Sequence, residues 1–307
     1  MSKVLIATEK PFAAPAVAGI KQILTEAGFE VATLEKYTAK SELLAAVADA
    51  EAIIIRSDII DAEVFDAAKQ LKIVVRAGAG YDNVDLEAAT AHGVCVMNTP
   101  GQNANAVAEL VFAMLLFAVR NRFNGTSGTE LKDKKLGLLA YGNTGRNVAR
   151  IAKGIGMEIY AYDPFTPAEA IEKEGVHAVA SQKELFSTCD IVSLHIPATP
   201  ETKGSIGREL VSLLPKKAIL VNTARKEIIN EPELIALLKE REDLRYLADI
   251  RPAAHEEFEA AAGERYFSTP KKMGAQTAEA NTNAGLAAAR QIVGFMKEGN
   301  ERFRLNK

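Results

Sequence analysis

The stretch Leu136–Asp163 reads LGLLAYGNTGRNVARIAKGIGMEIYAYD, and it decides the fold. The apolar run Leu136–Ala140 predicts a buried parallel strand. The turn Ala140-Tyr141-Gly142-Asn143-Thr144-Gly145 opens a helical pattern carrying Val148, Ile151, Ala152 and Ile155, and a second apolar strand, Ile159–Tyr162, ends on Asp163. Strand, glycine turn, helix, strand and terminal acid form a unit of the length a dinucleotide needs. Gly142 would let the backbone approach a pyrophosphate, Asn143 and Thr144 would offer it the N–H groups of the helix start, and Gly145 would let helix and strand pack closely. Asp163 would accept hydrogen bonds from both ribose hydroxyls and repel a 2′-phosphate, so the expected cofactor is NAD rather than NADP. Ala140 stands where the first glycine of the usual G-x-G-x-x-G would be, a place alanine suits if the turn does not demand a positive φ.

Outward from this unit, apolar strand candidates alternate with helical patterns: Val4–Ala7, Ile53–Arg56, Ile73–Arg76 and Val94–Met97 before it, Ile191–Leu194, Ile219–Asn222 and Tyr246–Asp249 after it. That alternation predicts an α/β protein with parallel sheets covered by helices on both faces. Ser181-Gln-Lys-Glu184 reads as a capping box, and Asn230 as a cap before Glu231-Pro232. A long helix, Ala104–Asn121, and another over Thr277–Lys297 would link two domains, and Arg122–Thr129 reads as a loop. The expectation is two doubly wound domains: a flavodoxin-like substrate domain over 1–98 plus 281–307, with a Rossmann-type dinucleotide-binding domain over 99–280 inserted into it. A second glycine-rich turn, Arg76-Ala-Gly78-Ala79-Gly80-Tyr-Asp82-Asn83, follows a strand too. The next strand ends near Asn98, which is not acidic, so this turn lacks a ribose anchor and suggests an anion site.

The 307 residues suit two domains, and a 48% hydrophobic content supplies their cores. A net charge of −3 without any basic block argues against nucleic acid and anionic membranes as partners. The apolar run Leu110–Val119 is too short to span a bilayer, and Ser2–Thr8 reads as a short strand with one Lys rather than as a signal peptide, having no apolar core of adequate length. Cys95 and Cys189 read as buried thiols of a reducing compartment, hence a cytoplasmic protein. No His/Cys/Asp spacing suggests a metal.

A substrate for a dinucleotide enzyme lies over the carboxyl ends of the strands. Arg56-Ser57, Arg76 to Gly80, Asn98 to Asn103, Arg225 and Asp249 all fall at such ends, and the repeated arginines predict an anionic substrate. Phosphate needs more positive charge than a carboxylate alone. Arg56, Arg76 and Lys272, with donors from Ser57, Gly78, Gly80 and Asn103, would supply it.

Together, Arg76-Ala-Gly-Ala-Gly-Tyr-Asp-Asn-Val-Asp85, Val221-Asn-Thr-Ala-Arg225 and the dinucleotide unit resemble the D-isomer-specific 2-hydroxyacid dehydrogenases over nearly the whole chain. Asp82–Thr90 and Val96-Met-Asn-Thr-Pro100 look most like members that act on D-3-phosphoglycerate in serine biosynthesis, in a short form without a regulatory domain. The resemblance implies hydride transfer between C2 of a hydroxy acid and the nicotinamide, a homodimer, and roles for individual residues. Arg225 would bind the carboxylate and polarise the C2 oxygen. Asp249 would contact the nicotinamide amide, and Ala79, His195, Thr223, Ala224, Gly274 and Ala275 would line the cofactor. Two family positions differ. In Thr269-Pro-Lys-Lys-Met-Gly-Ala275, Lys272 takes the place of the family's catalytic His, and Ala254 that of its Glu. Lys272 would then be the acid/base, its charged form disfavoured by Arg225 and the nicotinamide, or else would bind an anion only. Glu256 or Glu257 would stand in for the missing Glu if the loop is shifted. Reduction of hydroxypyruvate or glyoxylate is the neighbouring activity. A non-catalytic NAD(H) sensor is the alternative of a different kind.

Overall fold

The computed structural model describes residues 1–306, which divide into two compact units, 1–103 with 277–306 and 104–276. The junctions follow Asn103 and precede Thr277, rather than falling at 98/99 and 280/281. Each sits at a helix start, and the Thr277 hydroxyl caps the second helix by accepting from the Ala280 N–H.

The first unit runs β1 (Lys3–Thr8), α1 (Ala14–Glu26), β2 (Glu30–Glu35), α2 (Lys40–Val47), β3 (Ala52–Ile55), α3 (Ala62–Ala67), β4 (Ile73–Arg76), α4 (Leu86–Ala91) and β5 (Cys95–Asn98). Its five strands are all parallel in the order β2-β1-β3-β4-β5, the flavodoxin-like order. Strand alternation sorts the side chains onto two cores. Val4, Ile6, Ile54, Val75 and Met97 pack toward α1 and the last helix, while Leu5, Ile53, Val74 and Val96 pack toward α2, α3 and α4.

The second unit runs α5 (Ala104–Val119), β6 (Lys135–Leu139), α6 (Asn143–Ile155), β7 (Glu158–Tyr162), α7 (Ala168–Lys173), β8 (His177–Ala178), α8 (Gln182–Thr188), β9 (Ile191–Leu194), α9 (Arg208–Val211), β10 (Ile219–Asn222), α10 (Glu231–Glu240), β11 (Arg245–Ala248), α11 (His255–Ala262) and β12 (Tyr266–Ser268); α12 (Ala278–Glu298) returns to the first unit. The seven parallel strands lie in the order β12-β11-β10-β9-β6-β7-β8. This is the Rossmann order with one strand added, and it reverses between β6 and β9. One face carries α5 and α6 on Leu136, Leu138, Ile159 and Val221. The other carries α8 to α11 on Leu139, Val192, Leu220 and Tyr246.

The expected α/β architecture of two doubly wound parallel sheets is the one observed. Ser181 and Asn230 cap α8 and α10 as their spacing predicts. Three strands had no counterpart in the sequence reading: β2, β8 and β12. Helix α5 stops at Val119 rather than Asn121, because Asn121, Arg122 and Phe123 all adopt positive φ (49°, 57° and 58°) and form a left-handed turn. Cys95 and Cys189 are buried and not disulfide-bonded. No helix among the described residues is long and apolar enough to cross a membrane.

Candidate active site

In the second unit the strand order reverses between β6 and β9, and open α/β sheets bind ligands at that point, beyond the carboxyl ends of the strands. The glycine turn follows β6 there. Its first residue departs from expectation: Ala140 has φ +79°, so the turn does demand the left-handed conformation, and an alanine holds it. Gly142 is in an ordinary extended conformation, and a Cβ on it would meet nothing within 4 Å. No protein atom requires glycine at 142, whereas a ligand approaching the backbone would. A Cβ on Gly145, by contrast, would lie 2.5 Å from the carbonyl oxygen of Ala140, so helix and strand approach closely enough to need glycine. Asn143 and Thr144 form the first turn of α6, whose N-cap, Gly142, provides no capping side chain. The N–H groups of that turn are available to an anion.

Asp163 stands just past β7 and turns back on the loop. One carboxylate oxygen accepts from the Tyr141 N–H (2.7 Å), the other from the N–H groups of Phe165 (2.8 Å) and Thr166 (3.2 Å). These bonds fix its orientation and take about three of its roughly four lone-pair directions.

His195 follows β9. Its N–H donates to the Leu139 carbonyl (2.9 Å), tying the ends of β9 and β6 together. Its Nε2 is buried without a partner, and burial pushes the imidazole pKa down to about 4. Thr223, just past β10, likewise has a buried, unpartnered hydroxyl. Buried polar atoms are nearly always satisfied. Two orphans at the carboxyl edge of this sheet, with the glycine loop, the uncapped helix start and the terminal acid, fit a bound dinucleotide.

Beyond Thr223 the chain places its two cations side by side. Arg225 Nη1 and Lys272 Nζ both donate to the carbonyl oxygen of Ala224, at 3.0 and 2.8 Å. The Lys272 loop is pinned by Asp249, a carboxylate only 1% exposed. Its Oδ1 accepts from the Met273 N–H (2.8 Å) and the Thr269 hydroxyl (2.9 Å), and its Oδ2 from the Gly274 N–H (2.8 Å). Ala275 follows this anchor, half-buried. Ile250, next to Asp249, sits at φ +120°, a rare conformation for a β-branched residue, and its N–H donates to the Thr269 hydroxyl (2.8 Å). Such strain persists only where the surroundings over-determine it.

Glu256 and Glu257 are exposed in the first turn of α11. The carboxylate that reaches the backbone at Ala254 is Glu231, whose two oxygens accept from the N–H groups of Ala253 (3.1 Å) and Ala254 (2.8 Å). Sequence reasoning missed Glu231, because it reads as an ordinary acid in the first turn of a capped helix. It also missed the contacts of Tyr141, although an aromatic residue inside a glycine turn signals local packing.

The first unit carries the remaining candidates. Arg56 Nη1 donates to the carbonyls of Lys10 and Pro11 (both 2.9 Å) and Nη2 to Asn281 Oδ1 (2.8 Å), while the guanidinium stacks over Phe12. Its guanidinium therefore ties β3 to the β1–α1 loop and to α12. Ser57 beside it is exposed. Arg76 Nε donates to the Arg56 carbonyl (3.0 Å), and its guanidinium crosses Gly78 so closely that a Cβ there would lie 1.5 Å from Nη1. Gly78 also has φ +150°. The loop Gly78-Ala79-Gly80 is held by the Thr99 N–H on the Gly78 carbonyl and by Asn98 Nδ2 on the Ala79 carbonyl. Asn103 closes this part of the unit, half-buried.

Comparison with known proteins agrees with this geometry. Residues 114–270 match the sequence profile of the D-isomer specific 2-hydroxyacid dehydrogenase, NAD binding domain. A D-3-phosphoglycerate dehydrogenase of Methanocaldococcus jannaschii is 38% identical over 294 residues, covering 88% of this chain and 54% of that protein. The Homo sapiens D-3-phosphoglycerate dehydrogenase is 33% identical over 291 residues, 90% of this chain and 54% of that one. This chain thus spans about half the length of these curated relatives. The crystal structure of NAD+-bound 3-phosphoglycerate dehydrogenase from Entamoeba histolytica superposes with a TM-score of 0.87 at 48% identity, covering 100% of this chain and 99% of that one. A profile matched across the reversing sheet and its glycine turn, and a likeness to a solved structure over the full length of both chains, leave one assignment: this chain belongs to the D-isomer-specific 2-hydroxyacid dehydrogenase family.

Proposed function

We propose that the chain is an NAD-dependent dehydrogenase that oxidises D-3-phosphoglycerate to 3-phosphohydroxypyruvate, the chemistry that feeds serine biosynthesis. The observation that carries this reading is the convergence of Arg225 and Lys272 on one carbonyl oxygen at the carboxyl edge of the NAD-binding sheet. The names of the relatives support the choice of substrate.

Bound NAD+ supplies the hydride acceptor. In this reading Arg225 grips the substrate carboxylate with its planar fork and polarises the C2 oxygen. Lys272 Nζ, as the neutral amine, takes the proton of the C2 hydroxyl, and as the ammonium returns it in the reverse direction. Asp249 fixes the loop on both sides of this work, through the Thr269 hydroxyl and the N–H groups of Met273 and Gly274. Glu231 steadies the Ala253-Ala254 segment where the family's Glu would stand. To Arg76 and the Gly78–Gly80 backbone we assign binding of the substrate's phosphate, because only glycine at 78 lets the guanidinium lie across that loop. A homodimer and a cytoplasmic location belong to the same proposal, the latter supported by the two buried thiols.

A panel of D-3-phosphoglycerate, D-glycerate, D-lactate, hydroxypyruvate and glyoxylate, followed by NADH absorbance, tests it. D-3-phosphoglycerate is expected to be the best substrate, with Arg76→Ala raising KM for it at least about tenfold, as loss of a charge-assisted contact does, and barely changing glyoxylate turnover. Equal effects on both would remove Arg76 from phosphate binding. Preference for hydroxypyruvate would make the chain a reductase, and NADH binding without turnover would make it a sensor.

A further inference from the structure

The strained alanine of the glycine turn raises the question of what holds it. A non-glycine residue in the left-handed conformation is costly and keeps it only under external constraint. Ala140 itself makes one constraining bond, its N–H donating to the Tyr162 carbonyl (2.9 Å), and the further constraint is on the next residue. Tyr141 is 1% exposed, although Gly142 and Asn143 beside it are exposed, and every polar group it has is taken. Its N–H donates to Asp163 Oδ2 (2.7 Å), its carbonyl accepts from Arg146 Nη1 (2.8 Å), and its hydroxyl donates to Glu174 Oε2 (2.9 Å). The network closes on itself. Arg146 Nε donates to Glu174 Oε1 (2.9 Å), and the same guanidinium stacks on the Tyr141 ring at 4.9 Å from its centroid. Glu174, at the end of α7, is fastened in turn by Lys153, whose Nζ donates to its carbonyl.

We propose that Tyr141, Arg146 and Glu174 are positioning residues for the cofactor: a brace that holds Ala140 in its left-handed conformation and keeps the glycine turn and Asp163 in the shape that receives the dinucleotide. This rests on the reading of the turn as the NAD site. None of the three is needed to touch the cofactor. The brace does what a glycine at 140 would do without help, since glycine adopts that conformation at no steric cost. Arg146 is the keystone, because one planar fork reaches the Tyr141 carbonyl and the Glu174 carboxylate at once, which a lysine does not reproduce.

That account makes the brace dispensable once position 140 is relieved, a coupling that a merely structural network elsewhere in the unit would not show. The test is a cycle of Glu174→Gln, Ala140→Gly and the double variant, read by fluorescence titration with NADH and by thermal melting of the chain without cofactor. Glu174→Gln is expected to weaken NADH binding about tenfold, the scale of losing hydrogen bonds to a charged group. In the Ala140→Gly background the same substitution should weaken it about twofold or less. Arg146→Lys should behave as Glu174→Gln does. An equal loss in both backgrounds, or no loss in either, overturns the proposal. A wild-type chain that does not bind NADH defeats the cofactor reading instead. The melting curves then decide the brace alone: a drop in Tm confined to the alanine background supports it, and an equal drop in both refutes it.

Discussion

Lys272 and Arg225 come from segments far apart in the chain, yet both reach the same backbone oxygen. Arg225 was legible because it follows β10, a strand buried throughout, whereas Lys272 follows the unrecognised β12 and was legible only through the family-like run Thr269–Ala275. What was not legible is how they are held. Asp249 has no sequence signal for the three donors that converge on it, and Glu231 none for the loop it clamps. The positive φ of Ala140 is hidden for the same reason: residue type gives only a preference, and the surrounding hydrogen bonds override it. Lys272→Met should lower kcat by about 10²- to 10⁴-fold, the usual contribution of a general base, while leaving NADH affinity nearly unchanged. Unchanged kcat would reduce Lys272 to an anion-binding residue.

Among the elements, the strands that the sequence reveals are those covered on both faces, and the ones it hides lie at sheet edges. β2, β8 and β12 are edge strands, short or half-exposed, with too few apolar residues to register. β5 is instructive because it is an edge too, yet all four of its residues are buried. The C-terminal segment covers it. The Leu305 N–H donates to the Val96 carbonyl (2.8 Å), and the Asn306 side chain acts as a further strand, accepting from the Val96 N–H (2.8 Å) and donating to the Val94 carbonyl (2.8 Å). Asn306 is only 4% exposed. Replacing it with alanine would strand a buried donor and a buried acceptor, so Asn306→Ala should cost about 1–3 kcal/mol in urea unfolding, and exposure of the β5 edge should promote self-association. A variant as stable as the wild type would show that water replaces the amide.

Over the whole molecule, two sheets of related design each carry their candidate residues at the carboxyl ends of strands, as doubly wound folds do. The sequence showed this arrangement through alternation alone, with the unit junctions displaced to the helix starts. A half-buried histidine whose Nε2 is fully enclosed makes stability depend on pH. His195 is held neutral by burial, its pKa lowered from 6.5 to about 4. The unfolded chain binds a proton there below about pH 6.5 and the folded chain does not. Its contribution is therefore complete above that pH and is lost progressively as pH falls toward 4, by up to about 3 kcal/mol. Urea midpoints between pH 7.5 and 4.5 should fall less steeply for His195→Gln than for the wild type; parallel profiles would contradict this. The most direct test of the account as a whole is a crystal structure of the chain with NAD and D-3-phosphoglycerate. It should show an adenosine ribose hydroxyl hydrogen-bonded to Asp163 and the substrate carboxylate within about 3 Å of the Arg225 guanidinium. Adenosine bound away from Asp163, or a substrate carboxylate out of reach of Arg225, would contradict it.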